Sequence, residues 1–194
     1  MTTEIKNKLR DQHFKIKICV SGAAETNYCG EGALELALEL GREIARQGAE
    51  ITTGATTGFP LWAARGAKEA GGISIGLSPA ETEREHVEEY KLPLEYMDNI
   101  IYTGQGYPGR DILLTRASDA VILGCGRIGT IHEFAVAFED SKPVGILQGP
   151  WDMDETLQLI LERGHRPNPN IVFDPDPKSL VEKIIKMVEE GKVK

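Results

Sequence analysis

Short apolar runs alternate along the chain with longer segments in which apolar residues recur at helical spacing. This alternation is typical of a parallel β-sheet with helices on both faces. The apolar runs predict strands at residues 15–21, 50–53, 73–77, 99–102, 120–123, 144–147 and 171–173. The intervening segments predict helices at residues 31–47, 59–70, 110–117, 130–139, 153–163 and 177–190. The predicted fold class is therefore α/β, a doubly wound, Rossmann-like parallel sheet.

The same pattern contains no break that would divide the chain into two domains. We predict a single domain over residues 1–194, with residues 1–14 as an N-terminal extension. The most polar internal stretch, residues 80–96, is crowded with glutamates. We expect it to be a solvated excursion between two strands, because crowded like charges favour contact with water.

Glycine-containing turns follow four of the predicted strands, at residues 21–24, 54–58, 104–109 and 124–129. We predict the order 3-2-1-4-5 for the first five strands, which would bring these turns together at the carboxyl ends of the strands. Open α/β sheets bind ligands there, and glycine lets the backbone approach a phosphate closely. A single glycine turn commonly ends a strand without any ligand, so the prediction of a binding crevice rests on all four. The candidate residues in the first two turns are Ser21, Gly22, Gly54 and Thr56.

The turn after the fifth predicted strand carries the strongest local chemistry. It opens a helix, so free N–H groups at Gly129, Thr130 and Ile131 would point at an anion, and the Thr130 hydroxyl adds a donor. Glu133 follows on the first turn, where its carboxylate can face the same crevice. The alternative is a capping box, in which Thr130 caps the helix and Glu133 bonds back to its backbone. The phosphate-binding candidates in this loop are Gly126, Arg127, Ile128, Gly129 and Thr130.

Charge and composition narrow the expected partners. The formal net charge of −8 argues against a general nucleic-acid binder, because affinity for the phosphate backbone comes from clustered Lys and Arg. A small anion can still be held by helix N-termini and one or two arginines, whose fields act at short range. The N-terminus has no apolar core like that of a signal peptide, and no apolar run is long enough to span a membrane. We therefore expect a cytoplasmic protein without a membrane partner.

The three cysteines, Cys19, Cys29 and Cys125, show no Cys-x-x-Cys spacing. An odd number of scattered thiols suits a reducing compartment better than a disulfide framework. For Cys125 there are two interpretations, a packed small residue or a thiol acidified at a helix N-terminus. His132 stands beside Glu133, but neighbouring residues on a helix point in different directions. We therefore expect no metal site.

At residues 125–133 the chain resembles the lonely-guy family, also described as lysine decarboxylase-like. It is similar as well to the molybdenum-cofactor carrier and DprA-like branch of the same Rossmann superfamily. The family signature Pro-Gly-Gly-x-Gly-Thr-x-x-Glu is matched by Gly126, Gly129, Thr130 and Glu133. Its proline and one of its glycines are replaced, and the residues at those positions are Cys125 and Arg127.

A second similarity lies in the predicted helix before the fifth strand. Arg110 matches an arginine of the family, and Asp111 beside it is nearer the Arg-Asn of the carrier-like branch than the Arg-Lys of the lonely-guy proteins. The turn at residues 53–58 resembles the family's Gly-Gly-Gly turn with two glycines replaced. The resemblance extends over residues 15–147, most of the chain.

The resemblance implies hydrolysis of the N-glycosidic bond of a nucleoside 5′-monophosphate, which releases a base and ribose 5-phosphate. It places Glu133 and Arg110 at the family's catalytic positions. A fixed carboxylate would stabilise positive charge that builds on the sugar or orient a water molecule, and Arg110 would hold phosphate or ribose oxygens. The alternative hypothesis is a carrier that holds a nucleotide or molybdenum cofactor without cleaving it. The changed residues Cys125, Arg127 and Asp111 favour this alternative.

The lysine decarboxylase label requires a Schiff-base lysine for pyridoxal phosphate, and none of the glycine turns contains a lysine. We therefore expect no cofactor. The resemblance also implies at least a homodimer. The apolar residues around Phe134, Val136 and Phe138 are a candidate contact surface.

Overall fold

A computed structural model describes residues 15–167 and 170–193. For residues 192 and 193 it describes the backbone alone. The predicted N-terminal extension, residues 1–14, lies outside the described residues. Within them, seven parallel strands form one sheet in the order β4-β3-β2-β1-β5-β6-β7. The strands are β1 Lys17–Ser21, β2 Glu50–Thr53, β3 Ser74–Ser78, β4 Asn99–Tyr102, β5 Ala120–Leu123, β6 Val144–Leu147 and β7 Ile171–Asp174. The predicted α/β fold class is confirmed, and each predicted strand is present.

Helices connect the strands, as a parallel sheet requires. They are α1 Ala33–Arg46, α2 Phe59–Glu69, α3 Glu83–Glu88, α4 Gly106–Ala117, α5 Ile128–Glu139, α6 Met153–Arg163 and α7 Pro177–Val193. Within the described ranges, no helix is long and apolar enough to cross a bilayer.

The short helix α3 lies inside the stretch that the charge pattern assigned to a solvated excursion. Thr82 caps it by accepting a hydrogen bond from the Glu85 N–H. His86 anchors it, because this side chain is fully buried with one ring nitrogen 2.8 Å from Ser78 Oγ and the other 2.9 Å from the Pro93 carbonyl oxygen. The expectation was therefore wrong for part of residues 80–96, where one buried histidine holds a charged segment on the sheet.

The predicted strand order 3-2-1-4-5 is wrong. β4 lies at the edge beside β3, and β1 lies between β2 and β5, with Ile18 aligned to both Ile51 and Ala120. The edge position suits β4 because its side chains are only partly covered, Ile101 being 49% exposed, whereas all of β5 is buried. The topological switch therefore falls between β1 and β5, and α4 carries the chain back from the edge to the centre of the sheet.

The aromatic ring of Phe59, at the start of α2, packs beneath two of the glycine turns. A Cβ atom on Gly22 would lie 2.8 Å from Phe59, and one on Gly124 would lie 2.2 Å from the same ring. Trp151 packs edge-on against Phe59, with the ring centroids 5.7 Å apart. Glycine is therefore required at both turns by the close approach of the ring, and the buried ring supports the floor of the crevice described below.

Candidate functional site

A cleft of about 390 Å³ opens at the carboxyl ends of β1, β2 and β5, at the topological switch point of the sheet. Ligands bind at this position in open α/β sheets. The predicted residues that line it are Ser21, Gly22, Gly54, Thr56, Arg110, Arg127, Gly129, Thr130 and Glu133. Two predicted residues do not line it, since Gly126 is buried against the Thr130 side chain and the Ile128 side chain is 79% exposed.

Further residues of the cleft wall were not predicted as site residues. They are Val20, Ala23, Ala24, Glu25, Pro60, Tyr107 and Asp111. Tyr107 and Asp111 come from α4, whose path across the sheet depends on β4 being at the edge. The turn at Gly104 and Gly106, which was expected beside the other three, is therefore absent from the residues that line the cleft.

The loop at residues 124–129, called the phosphate loop below after the ligand that the sequence predicts for it, leads into α5. The helix begins at Ile128, two residues earlier than predicted, with Arg127 as its N-cap. The first three N–H groups, those of Ile128, Gly129 and Thr130, therefore have no carbonyl of the helix to which they can donate. The expectation of a free Ile131 N–H was wrong, because it donates to the Arg127 carbonyl oxygen at 3.2 Å. The positive end of the helix faces the cleft at this point, which favours an anion.

Glu133 turns its carboxylate into the cleft and not towards the start of its own helix. Its side chain is buried and accepts a hydrogen bond from Ser21 Oγ at the end of β1. Thr130 lies inside α5 and forms no side-chain cap. The capping-box interpretation is therefore wrong, and the carboxylate is available to a bound ligand.

Burial raises the pKa of Glu133 from its ordinary value to about 7. The positive charge of Arg110 lowers this pKa in part, and the negative charge of Asp111 raises it further. The Ser21 hydrogen bond favours the ionised form. A carboxyl group whose pKa is this close to neutrality can gain or lose a proton near neutral pH.

Arg110 reaches the centre of the cleft from α4. Its guanidinium group fills the space that a side chain at Gly54 would occupy, since a Cβ atom there would lie 1.5 Å from Nη1. The Nε atom lies 3.4 Å from the Asp111 carboxylate and, among the described residues, has no hydrogen-bond partner. Nε is itself buried from solvent, so its contact with Asp111 is an ion pair without a hydrogen bond in the wall of the cleft.

Asp111 faces two cationic or protonatable neighbours. One of its oxygens is near Arg110, and the other lies 3.1 Å from Nδ1 of His132. His132 thus contacts the site through Asp111, and it is absent from the residues that line the cleft. The sequence indicated Asp111 only as a departure from the lonely-guy pattern. Its contact with His132 follows from the packing of α4 against α5.

Cys29 and Cys125 are joined by a disulfide, with their Cα atoms 5.7 Å apart. The expectation of scattered free thiols was therefore wrong for this pair and holds for buried Cys19. Of the two interpretations of Cys125, neither described its sulfur correctly, because it is bonded. The pair is 96 residues apart in the chain, so that no spacing rule could have connected the two cysteines.

The order of the parallel strands and the helices that connect them define a Rossmann-like domain. The family model described as the SLOG cluster4 family matches residues 15–181. The chain therefore belongs to the SLOG cluster4 family, and the resemblance to this Rossmann superfamily is confirmed.

Several individual proteins are similar to this chain. An uncharacterized protein of Archaeoglobus fulgidus is 31% identical over 135 residues, which are 70% of this chain and 82% of the relative. The molybdenum cofactor binding protein of Rippkaea orientalis has a TM-score of 0.72 at 27% identity, covering 93% of this chain and 99% of its own. The molybdenum cofactor carrier protein of Chlamydomonas reinhardtii has a TM-score of 0.71 at 26% identity, with coverages of 91% and 99%.

Proposed function

We propose that the cleft binds a nucleoside 5′-monophosphate and hydrolyses its N-glycosidic bond, releasing the free base and ribose 5-phosphate. The phosphate would lie at the N-terminus of α5, within reach of the N–H groups of Gly129 and Thr130. Arg110 would hold phosphate or ribose oxygens as a planar fork of donors. Glu133 would face the bond that breaks.

The observation that carries this proposal is a buried carboxyl group, that of Glu133, in the same cleft as a helix N-terminus that can hold an anion. A carboxylate at Glu133 repels a bound phosphate, so a protein that only held the anion would bind it more tightly without this charge. The negative charge of Glu133 stabilises the positive charge that develops on the ribose as the bond breaks. This stabilisation is larger in the transition state than in the ground state, so it accelerates the reaction. The position of Glu133 therefore favours catalysis over simple binding.

The proposed reaction adds water across the bond between C1′ and the base nitrogen. Glu133 accepts a proton from the attacking water, whose oxygen forms the new bond to C1′. The electron pair of the broken bond goes to the base nitrogen, which then takes up a proton. Ser21, which donates a hydrogen bond to Glu133, fixes the direction of the carboxylate in these steps.

A panel of nucleoside 5′-monophosphates tests the proposal. We expect at least one of them to yield equal amounts of free base and ribose 5-phosphate, measured by chromatography. If nucleotides bind to the protein and none is cleaved, the hydrolase proposal is wrong and the carrier hypothesis takes its place.

That second candidate is a carrier for an intact phosphorylated ligand such as the molybdenum cofactor. It is favoured by the solved neighbours, two of which bind or carry that cofactor according to their names. Arg127, which replaces a signature glycine, forms an ion pair with Glu25 at 2.9 Å, and both residues line the cleft. This cation could contact a ligand different from that of the lonely-guy proteins. Retention of the intact cofactor after gel filtration would support the carrier.

The pH dependence of hydrolysis follows from the raised pKa of Glu133. The carboxylate must be ionised to accept a proton, so kcat/KM should fall about tenfold per pH unit below pH 7. Ser21→Ala removes a hydrogen bond that favours ionised Glu133, so the fall in kcat/KM should begin at a higher pH. Asp111→Asn removes a negative charge that disfavours ionised Glu133, so the fall should begin at a lower pH. If the pH profiles of the two variants shift in the same direction, or do not shift from that of the wild type, Glu133 is not the base.

Gly54→Ala should displace Arg110, because the new Cβ atom would overlap its guanidinium group. We expect nucleotide binding to weaken about tenfold to a hundredfold, as for loss of a hydrogen bond to a charged group. Gly191→Ala is the matched control, since a Cβ atom there meets no atom within 4 Å. Calorimetric titration of both variants with adenosine 5′-monophosphate measures the difference. Equal affinities would show that the present position of the Arg110 guanidinium group is not needed for nucleotide binding.

A further inference from the structure

The disulfide between Cys29 and Cys125 joins two walls of the cleft. Cys125 lies in the phosphate loop, one residue after Gly124 and two before the N-cap of α5. Cys29 lies in the connection between β1 and α1, whose residues Gly22, Ala23, Ala24 and Glu25 line the same cleft. The bond therefore sets the distance between the two loops that would surround a bound phosphate.

The other contacts between these loops are few and mostly weak. The Ala23 N–H donates to the Cys125 carbonyl oxygen at 2.7 Å. The Tyr28 hydroxyl group lies 3.5 Å from the Gly126 carbonyl oxygen, and the ion pair between Arg127 and Glu25 is exposed. Long hydrogen bonds and exposed ion pairs contribute little. After residue 23, the disulfide is therefore the strongest connection between the two loops.

The loop around Cys29 has the features of a segment that can open. Cys29 is buried, but its neighbours Tyr28 and Gly30 are exposed, and residues 22–32 contain turns and bends without a helix or strand. Few buried side chains hold such a segment, so local opening costs much less than unfolding of the sheet. Such opening is the route by which a small reductant would reach the disulfide, because both cysteines are buried in the closed form.

We propose that Cys29 and Cys125 form a thiol–disulfide modification site that controls anion binding in the cleft. In the disulfide form, the phosphate loop is fixed beside the connection between β1 and α1, with the N–H groups of α5 aimed at the ligand. In the dithiol form the two sulfurs are no longer bonded and need more room, so the loops separate and must be ordered again on binding. The inference rests on the proposed phosphate position at α5.

The chemistry is two-electron thiol–disulfide exchange with a dithiol reductant. A thiolate of the reductant attacks one sulfur of the disulfide, and the other cysteine leaves as a thiolate and takes up a proton. The second thiol of the reductant resolves the mixed disulfide. The reductant ends as a cyclic disulfide, and Cys29 and Cys125 end as two thiols.

The test is a calorimetric titration of the full chain with adenosine 5′-monophosphate and, separately, with inorganic phosphate, before and after treatment with dithiothreitol. Counting thiols in denaturant should give one before reduction, Cys19, and three after it. We expect reduction to weaken binding about tenfold, the cost of ordering roughly one backbone residue. Reoxidation with glutathione disulfide should restore the affinity.

The variant Cys29→Ser with Cys125→Ser provides the control. It should bind both probes as weakly as the reduced protein and should not respond to dithiothreitol. Equal affinity of the oxidised and reduced wild-type protein would overturn the proposed control, and so would a disulfide that resists dithiothreitol until the protein unfolds. No binding of either probe in either form would instead overturn the proposed anion site itself, together with the inference that depends on it.

Discussion

Glu133→Gln should lower the turnover of a nucleoside monophosphate about a hundredfold or more, the usual loss when a general base or an electrostatic group is removed. The glutamine amide keeps the size of the side chain and can still accept the hydrogen bond of Ser21. It carries no negative charge and cannot take a proton from water. The loss should therefore appear in kcat, whereas nucleotide binding should persist or strengthen because the repulsion between carboxylate and phosphate is gone.

Glu139→Gln on the same helix is the matched control for this variant. Glu139 is exposed and contacts Arg166 away from the cleft, so its replacement should change neither kcat nor binding. Steady-state kinetics and calorimetric titration of both variants separate the two effects. A Glu133→Gln protein that retained full turnover would sink the proposed mechanism even with the fold and the phosphate position correct.

Arg110→Ala should lower kcat/KM about a thousandfold, with losses in both binding and rate. A bidentate contact to phosphate or ribose oxygens exists in the ground state as well as in the transition state, so its loss affects both. The arginine also lowers the pKa of Glu133 and lies beside buried Asp111. Its removal leaves a buried carboxylate without its cation and shifts Glu133 towards the protonated form, which cannot act as a base.

Arg116→Ala provides a control from the same helix. Arg116 is exposed and pairs with Asp140 on the surface, so kcat/KM should stay within about twofold of wild type, as expected for a surface ion pair. Arg110→Lys keeps the charge but loses the planar fork, and its activity should lie between those of the wild type and the alanine variant. If Arg110→Ala binds adenosine 5′-monophosphate as the wild type does, the arginine does not contact the ligand.

The two hypotheses for the cleft predict different outcomes for the same pair of variants. For a hydrolase, Glu133→Gln loses rate and keeps affinity. For a carrier there is no rate to lose, and removal of the charge should only tighten the binding of a phosphorylated ligand. Arg110→Ala weakens binding in both cases. The Glu133 variant is therefore the more informative of the two.

Local patterns in the sequence were sufficient for much of the architecture. The apolar runs predicted all seven strands of the described chain because buried parallel strands read as continuous apolar segments. The signature at residues 126–133 predicted a helix N-terminus after a glycine turn. The helix, α5, begins at Ile128, two residues earlier than predicted. The fully buried histidine in residues 80–96 gave no such signal, since its burial depends on Ser78 and Pro93 of the folded chain.

The sequence by itself determined which segments become strands and, apart from α3, which become helices. It also determined which glycine turns and charged residues are available for a site. Only the tertiary structure decided that β4 lies at the edge, so that α4 brings Arg110 over Gly54. It also decided that Ser21 meets Glu133 from 112 residues away, and that Cys29 meets Cys125 from 96 residues away. The physical reason is that element formation depends on neighbours a few residues apart, whereas strand order depends on the burial of whole faces and edges, which no local spacing encodes.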